Sequence, residues 1–172
     1  MPVAAKYELT FFTATILQWK FLLQNDRYKD IIVHSLQYLV QKEKIQLHAY
    51  AIMDNHMHLL WHVVHPNKPD AVQRDFLKFT AQNILRNLKD INPELMKDFY
   101  VGAKDRQYQI WERNPLSIAI WSKEVLIQKL DYIHENPVKA NLCDQPYQYK
   151  YSSASFYDSG SDHFEMLTSC LM

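Results

Sequence analysis

Glycine is almost missing from this chain of 172 residues, which holds only Gly102 and Gly160. That excludes Walker and Rossmann phosphate loops, because each needs several glycines to bring backbone amides close to phosphate. Cysteine is as scarce. Cys143 and Cys170 have no CxxC spacing and cannot build a disulfide framework, so a reducing cytoplasm is the expected location. Neither sign of charge is in excess, since Lys plus Arg and Asp plus Glu both total 19. A globally basic nucleic-acid binder is thereby excluded, though a local basic groove is not. No apolar run approaches the roughly 18 residues of a membrane span, and the start Met1-Pro2-Val3-Ala4-Ala5-Lys6 does not read as a signal peptide. No membrane partner is expected.

What the chain does have is a core: 48% of residues are hydrophobic and 22% charged, which argues against disorder. Repeats, low-complexity tracts and linkers are absent, so residues 1–172 read as one domain with a C-terminal tail from about 144. Residues 7–15 read as a first strand, and Asn25-Asp26 caps a helix reaching about Lys44 with Ile32, Leu36, Leu39 and Val40 on its apolar stripe. Residues 45–53 alternate, placing Ile45, Leu47, Ala49, Ala51 and Met53 on one face. Residues 56–64 alternate too, and Asp54-Asn55 between them reads as a hairpin turn of the kind that tolerates positive φ. Residues 70–90 and a shorter stretch from Asn92-Pro93 read as helices. Strand pieces are expected at 108–112 and 117–121, and a last helix from Lys123 to about His134, capped by Ser122 and ended by Pro137. This order predicts an α+β fold: a ferredoxin-like or RNA-recognition-motif-like antiparallel sheet with helices packed on one face.

Two local patterns could carry chemistry. In His56-Met57-His58, strand alternation sends both imidazoles to one face and Met57 to the core. The Cβ atoms then lie about 6–7 Å apart, within reach of one cation. Alone, the pair reads better as two ordinary histidines on a solvated strand face. His62 shares that face but lies about 13 Å further along the strand, too far to complete a zinc site. In Tyr132-Ile133-His134-Glu135-Asn136-Pro137, Tyr132 and Asn136 fall on one helix face, away from the apolar stripe of Leu126, Leu130 and Ile133. Together, two imidazoles and an amide oxygen make an uncharged ligand set for a divalent ion that also takes phosphate oxygens, with a tyrosine beside it as nucleophile.

At this point the sequence resembles a family. Ala49-Tyr50-Ala51-Ile52-Met53-Asp54-Asn55-His56-Met57-His58-Leu59-Leu60 is similar to the metal-binding strand of the single-tyrosine HUH transposases, nearest in pattern to the REP-associated tyrosine transposases. Residues 130–142 resemble their nucleophile helix, Tyr147 to Ala154 the Tyr-Ser-Ser segment that follows it, and Gln109 to Arg113, more loosely, an intervening motif. The likeness spans about Tyr7 to Tyr157. It implies that His56 and His58 are metal ligands, Asn136 the third ligand and Tyr132 the nucleophile. It further implies Mg²⁺ or Mn²⁺ as cofactor, and cleavage and rejoining of single-stranded, hairpin-forming DNA through a 5′-phosphotyrosine link that leaves a free 3′-hydroxyl. Insertion-sequence members are dimers that share sites and REP-associated ones look monomeric, so either a monomer or a homodimer fits.

The chain departs from the family pattern in three places. Asp54 stands where proline is common, which is expected to alter only the turn, and Asn141 stands for glycine, a place where asparagine tolerates a left-handed backbone. The arginines common near Thr13 to Leu17 are missing. Basic and aromatic residues interleave further on. Lys104, Arg106, Trp111, Arg113 and Lys129 are the candidate DNA contacts, because basic groups pair with the backbone and rings stack on bases. His134 points away from Tyr132 and is assigned to structure or substrate contact. No side chain is an obvious general base for Tyr132. The competing reading is a domesticated hairpin-binding module that no longer catalyses; an RNA-recognition motif proper lacks its glycine-bearing aromatic signature.

Overall fold

The computed structural model describes residues 8–171. Its sheet has four antiparallel strands: β1 (Thr10–Thr15), β2 (Ile45–Ile52), β3 (His56–Val63) and β4 (Leu116–Ala119), in the order β2-β3-β1-β4. Tyr7, expected to open the first strand, lies outside the described residues. The main helices are α1 (Asp26–Gln41), α2 (Pro69–Ile91), the short α3 (Pro93–Met96), α4 (Lys123–Lys139) and α5 (Ala154–Ser159). Side chains cap α1, α3 and α4. Asn25 accepts from the Arg27 N–H, Asn92 from that of Leu95 and Ser122 from that of Val125, each satisfying an amide the first turn leaves unpaired. None of the described helices is long and apolar enough to cross a membrane.

The α+β class expected from the element order is present, but the helices do not share one face. Alternation on the strands divides the interior in two. Phe12, Ala14, Met57, Leu59 and Trp61 face Ile32 and Leu36 of α1 and Phe76 and Ile84 of α2. Phe11, Ala49, Ala51 and Leu60 face Leu130 and Ile133 of α4 on the other side. The sheet is therefore sandwiched, and α4 lies over the face that carries the histidines.

The clean alternation expected over residues 45–53 is broken by a β-bulge. Leu47 pairs with Trp61 and Ala49 with Leu60, so His48 is an extra residue without its own partner. Ile45 and Leu47 consequently belong to the α1/α2 side, while Ala49, Ala51 and Met53 turn to the α4 side. The small side chains Ala49 and Ala51 thus come to lie beneath α4.

Other expectations are corrected as well. Residues 108–112 form no strand; Tyr108 and Trp111 make single bridges, to Tyr100 and Ile16. Pro137 does not end α4, which continues to Lys139; so close to the end, proline removes only one helical hydrogen bond. Asn141 just beyond has φ 59°, the left-handed conformation its place requires. The Asp54-Asn55 turn has no positive φ and is closed by the Met53 N–H donating to the His56 carbonyl at 2.8 Å. The tail expected from 144 is part of the fold. Ile52 N–H donates to Tyr151 O and Ser153 N–H to Tyr50 O, so this segment covers the exposed edge of β2.

Asp54 does more than shape the turn. Lys29 of α1, 3% exposed, donates to Asp54 Oδ1 at 2.9 Å and lies 3.6 Å from Asp26. Removing one partner of a buried pair strands the other charge. Asp54→Ala is therefore expected to cost roughly 3 kcal/mol in chemical denaturation. Adding Lys29→Met should restore much of that loss.

Candidate active site

His58 is fixed first, because it sits in the middle of β3 between Thr13 of β1 and Ala51 of β2. It is 4% exposed. Its Nδ1 lies 2.7 Å from Thr13 Oγ1 and its Nε2 lies 2.9 Å from Asn136 Nδ2. An amide nitrogen only donates, so Nε2 carries a lone pair and the Nδ1–H donates to Thr13. His56 is set in the same way: its Nδ1 is 2.7 Å from Asn55 Oδ1, an acceptor, which leaves its Nε2 lone pair free. The two rings are 4.8 Å apart, centre to centre.

Both imidazoles are held neutral. Burial lowers the His56 pKa, and burial first, then repulsion from His56 when protonated and from Lys129, push that of His58 down to about 3. Neutral imidazoles with outward Nε2 lone pairs are what a metal ligand set requires. The Asn136 amide suits it too, since turning the amide over presents its oxygen 2.9 Å from His58 Nε2. Donors on adjacent corners of an octahedral ion with bonds of about 2.1 Å stand about 3 Å apart. The residues present therefore fit a hard divalent ion with open positions. Among the described residues, no group of three His, Cys, Asp or Glu side chains gathers for a metal. The side chain that meets His58 Nε2 here is the Asn136 amide.

Thr13 was not legible as part of the site, because only the β1–β3 register brings it to His58. Thr13→Val keeps the shape and removes the acceptor that orients the ring. Were the histidine pair to hold Mn²⁺, that affinity should fall about 10- to 100-fold in Thr13→Val, read from a metal titration of binding.

Tyr132 joins from α4. Leu130 and Ile133, buried against the sheet, leave Tyr132 46% exposed at the margin of the helix. Its ring lies 5.2 Å from that of His58 and 6.0 Å from that of Phe11, edge-on to both. Phe11 stacks on His58 at 5.4 Å. Lys129, one turn earlier on α4, holds its ammonium 4.8 Å above the Phe11 ring and 5.9 Å from that of Tyr132, bringing one positive charge to the site. Three of the C-terminal tyrosines are engaged elsewhere. Tyr149 donates to Ile52 O, Tyr151 to Asp30 and Tyr157 to His48 O, and burial raises the pKa of all three.

The remaining candidates separate from this group. Trp111 is 5% exposed and its Nε1 donates to Thr80 Oγ1 at 3.0 Å, so it is a core residue with no face for a base, contrary to the expected DNA contact. Arg106 and Arg113 both pair with Asp105, at 2.9 and 3.4 Å, and Lys104 sits exposed in the same loop. Asp105 is shared by both arginines and so offsets one of the three positive charges expected there. His134 faces away from Tyr132: its Nε2 meets the buried Ser153 hydroxyl at 2.8 Å, and burial lowers its pKa to about 4. It ties α4 to the C-terminal segment. A cavity of about 860 Å³ between α1 and α2, lined by Tyr38, Val72, Phe76 and Phe79, includes none of the site residues.

No protein-family model and no curated protein matches the chain. Solved structures do. One is a REP-associated tyrosine transposase bound to a REP hairpin, similar over 94% of this chain and 86% of that one, at 18% identity and a TM-score of 0.66. Another, a protein of Deinococcus radiodurans R1 provisionally described as a transposase, covers 79% of this chain and 95% of its own at 18% identity, with a TM-score of 0.45. The four-stranded antiparallel sheet and the helices around it thus form the fold of a REP-associated tyrosine transposase.

Proposed function

We propose that this chain cleaves and rejoins single-stranded DNA, using Tyr132 as nucleophile and a divalent ion, Mg²⁺ or Mn²⁺, held by His56, His58 and Asn136. The observation that carries the reading is the meeting of a half-exposed tyrosine on α4 with two neutral histidines on β3, 5.2 Å from the nearer ring. The fold it shares with a transposase that binds a REP hairpin supports it. When bound, the ion would supply Lewis-acid stabilisation of charge on the phosphate oxygens.

The chain's own groups do the rest. Tyr132 Oη forms a bond to phosphorus while the bond from phosphorus to the 3′ oxygen breaks. The electron pair goes to that oxygen, which takes a proton and leaves as a 3′-hydroxyl; the tyrosine proton passes to water. A 5′-phosphotyrosine link remains, and attack by a 3′-hydroxyl reverses the step and rejoins the strand. Lys129 contributes positive charge near the phosphate. His134, engaged with Ser153, holds the helix and takes no proton.

A hairpin with a single-stranded flank is the expected substrate. The phosphate must reach between β3 and α4, and unpairing a duplex for that costs a few kcal/mol. Incubating the protein with such a hairpin and Mn²⁺, followed by a denaturing gel, tests the proposal. A protein–DNA adduct is expected. Hairpin binding with no adduct would favour the domesticated binding module.

A further inference from the structure

Beside the histidines, the chain holds a large aromatic residue in a costly backbone conformation and leaves it in solvent. Gln18 (φ 55°, ψ 28°) and Trp19 (φ 57°) follow one another in the left-handed region, which is disfavoured for side chains of this size. The surroundings hold the turn in place. The Gln18 N–H donates to Glu112 Oε1 at 2.6 Å and the Trp19 N–H to Ile16 O at 2.9 Å. Lys20 Nζ clamps it, donating to Gln18 Oε1 and, at 2.6 Å, to Asp98 O. Conformational cost that is so thoroughly enforced is characteristic of functional positions.

The result is an indole that is 58% exposed with its ring 5.7 Å from that of His56, at 63°. The rings of Trp19, His56, His58 and Tyr132 form a row with successive centres 4.8–5.7 Å apart. Trp19 ends the row on the histidine side and Tyr132 on the other. Of the other residues expected to bind DNA, Lys129 lies beside Tyr132 at the opposite end, Arg106 and Arg113 share one partner, Asp105, and Trp111 is buried. A strand lying across the histidines must splay its bases to either side, and an exposed indole face is what an unpaired base stacks on.

We infer that Trp19 is the base-stacking platform of this site, taking one unpaired nucleobase of the single-stranded flank next to the phosphate held at His56 and His58. This rests on the function proposed above and adds a substrate contact to it.

The test combines protein variants with abasic DNA. Hairpins whose flank carries one abasic residue at successive positions are titrated against the wild type, Trp19→Ala and Trp19→Phe, with binding read by anisotropy. Stacking predicts that the wild type loses roughly tenfold in affinity, or more, at one flank position. Trp19→Ala should lose the same factor on intact DNA and become insensitive to that abasic site, while Trp19→Phe keeps most of the affinity. If wild type and Trp19→Ala respond equally to every abasic position, the platform assignment is overturned. Adduct formation by the wild type is scored separately. An adduct without the Trp19–base coupling leaves the nicking reading standing and removes the platform. Coupling without an adduct does the reverse, and no binding of any oligonucleotide removes both.

Discussion

Tyr132→Phe is expected to abolish covalent attachment of DNA while leaving hairpin affinity and thermal stability nearly unchanged. The substitution removes one oxygen and keeps the ring that packs edge-on to His58 and Phe11. Because the ring is only half buried, little packing energy depends on the hydroxyl. On the proposed mechanism no other group can form the phosphotyrosine bond, so the loss should reach the detection limit, at least about 1,000-fold. A gel assay at saturating hairpin and Mn²⁺ measures it. An adduct at the wild-type rate would transfer the role to another tyrosine. Tyr147, which is half exposed, would be examined before Tyr149, Tyr151 and Tyr157, whose hydroxyls are engaged.

On the proposed metal site, His56→Ala and His58→Ala should each lower adduct formation by about a hundredfold or more, because each removes one of its three protein donors. The two variants should differ in stability. His58 is 4% exposed and bridges Thr13 and Asn136, so its loss leaves a void and two unpaired polar groups. Among the described residues the half-buried His56 ring bonds to its neighbour Asn55 alone and touches Trp19, so its variant should melt close to the wild type. His56→Ala is therefore the cleaner probe of the metal. Raising Mn²⁺ should recover part of its activity, whereas no concentration should rescue Tyr132→Phe. If His56→Ala retained wild-type activity at low Mn²⁺, His56 would not be a ligand.

The parts of this site legible in the sequence are those governed by short-range periodicity. Strand alternation puts His56 and His58 on one face and Met57 in the core, and the structure keeps that arrangement because β3 runs without a bulge. Four-residue helical spacing puts Tyr132 and Asn136 together, and Asn136 does reach His58. What was hidden depends on register between distant segments. The bulge at His48 reverses the alternation of β2, and nothing in residues 45–53 announces it. That α4 crosses to the second face follows from where Ala49, Ala51 and Leu60 point, which only strand pairing decides. Thr13 meets His58 across 45 positions of sequence, and Trp19 reaches His56 through a turn that contains no glycine. Trp111, surrounded by basic residues, looked like a DNA contact because composition cannot tell an aromatic residue facing solvent from one facing α2.

The most direct test of the central claim is to identify the residue that carries DNA. A hairpin with a single-stranded flank, labelled on either side of the cut, is incubated with the full chain and Mn²⁺, digested with protease and read by mass spectrometry. The account predicts one cross-linked peptide, containing Tyr132 joined to a 5′-phosphate, with a free 3′-hydroxyl on the released strand. A 3′-phosphate linkage, attachment at any other residue, or metal-dependent cleavage with no covalent peptide would contradict it.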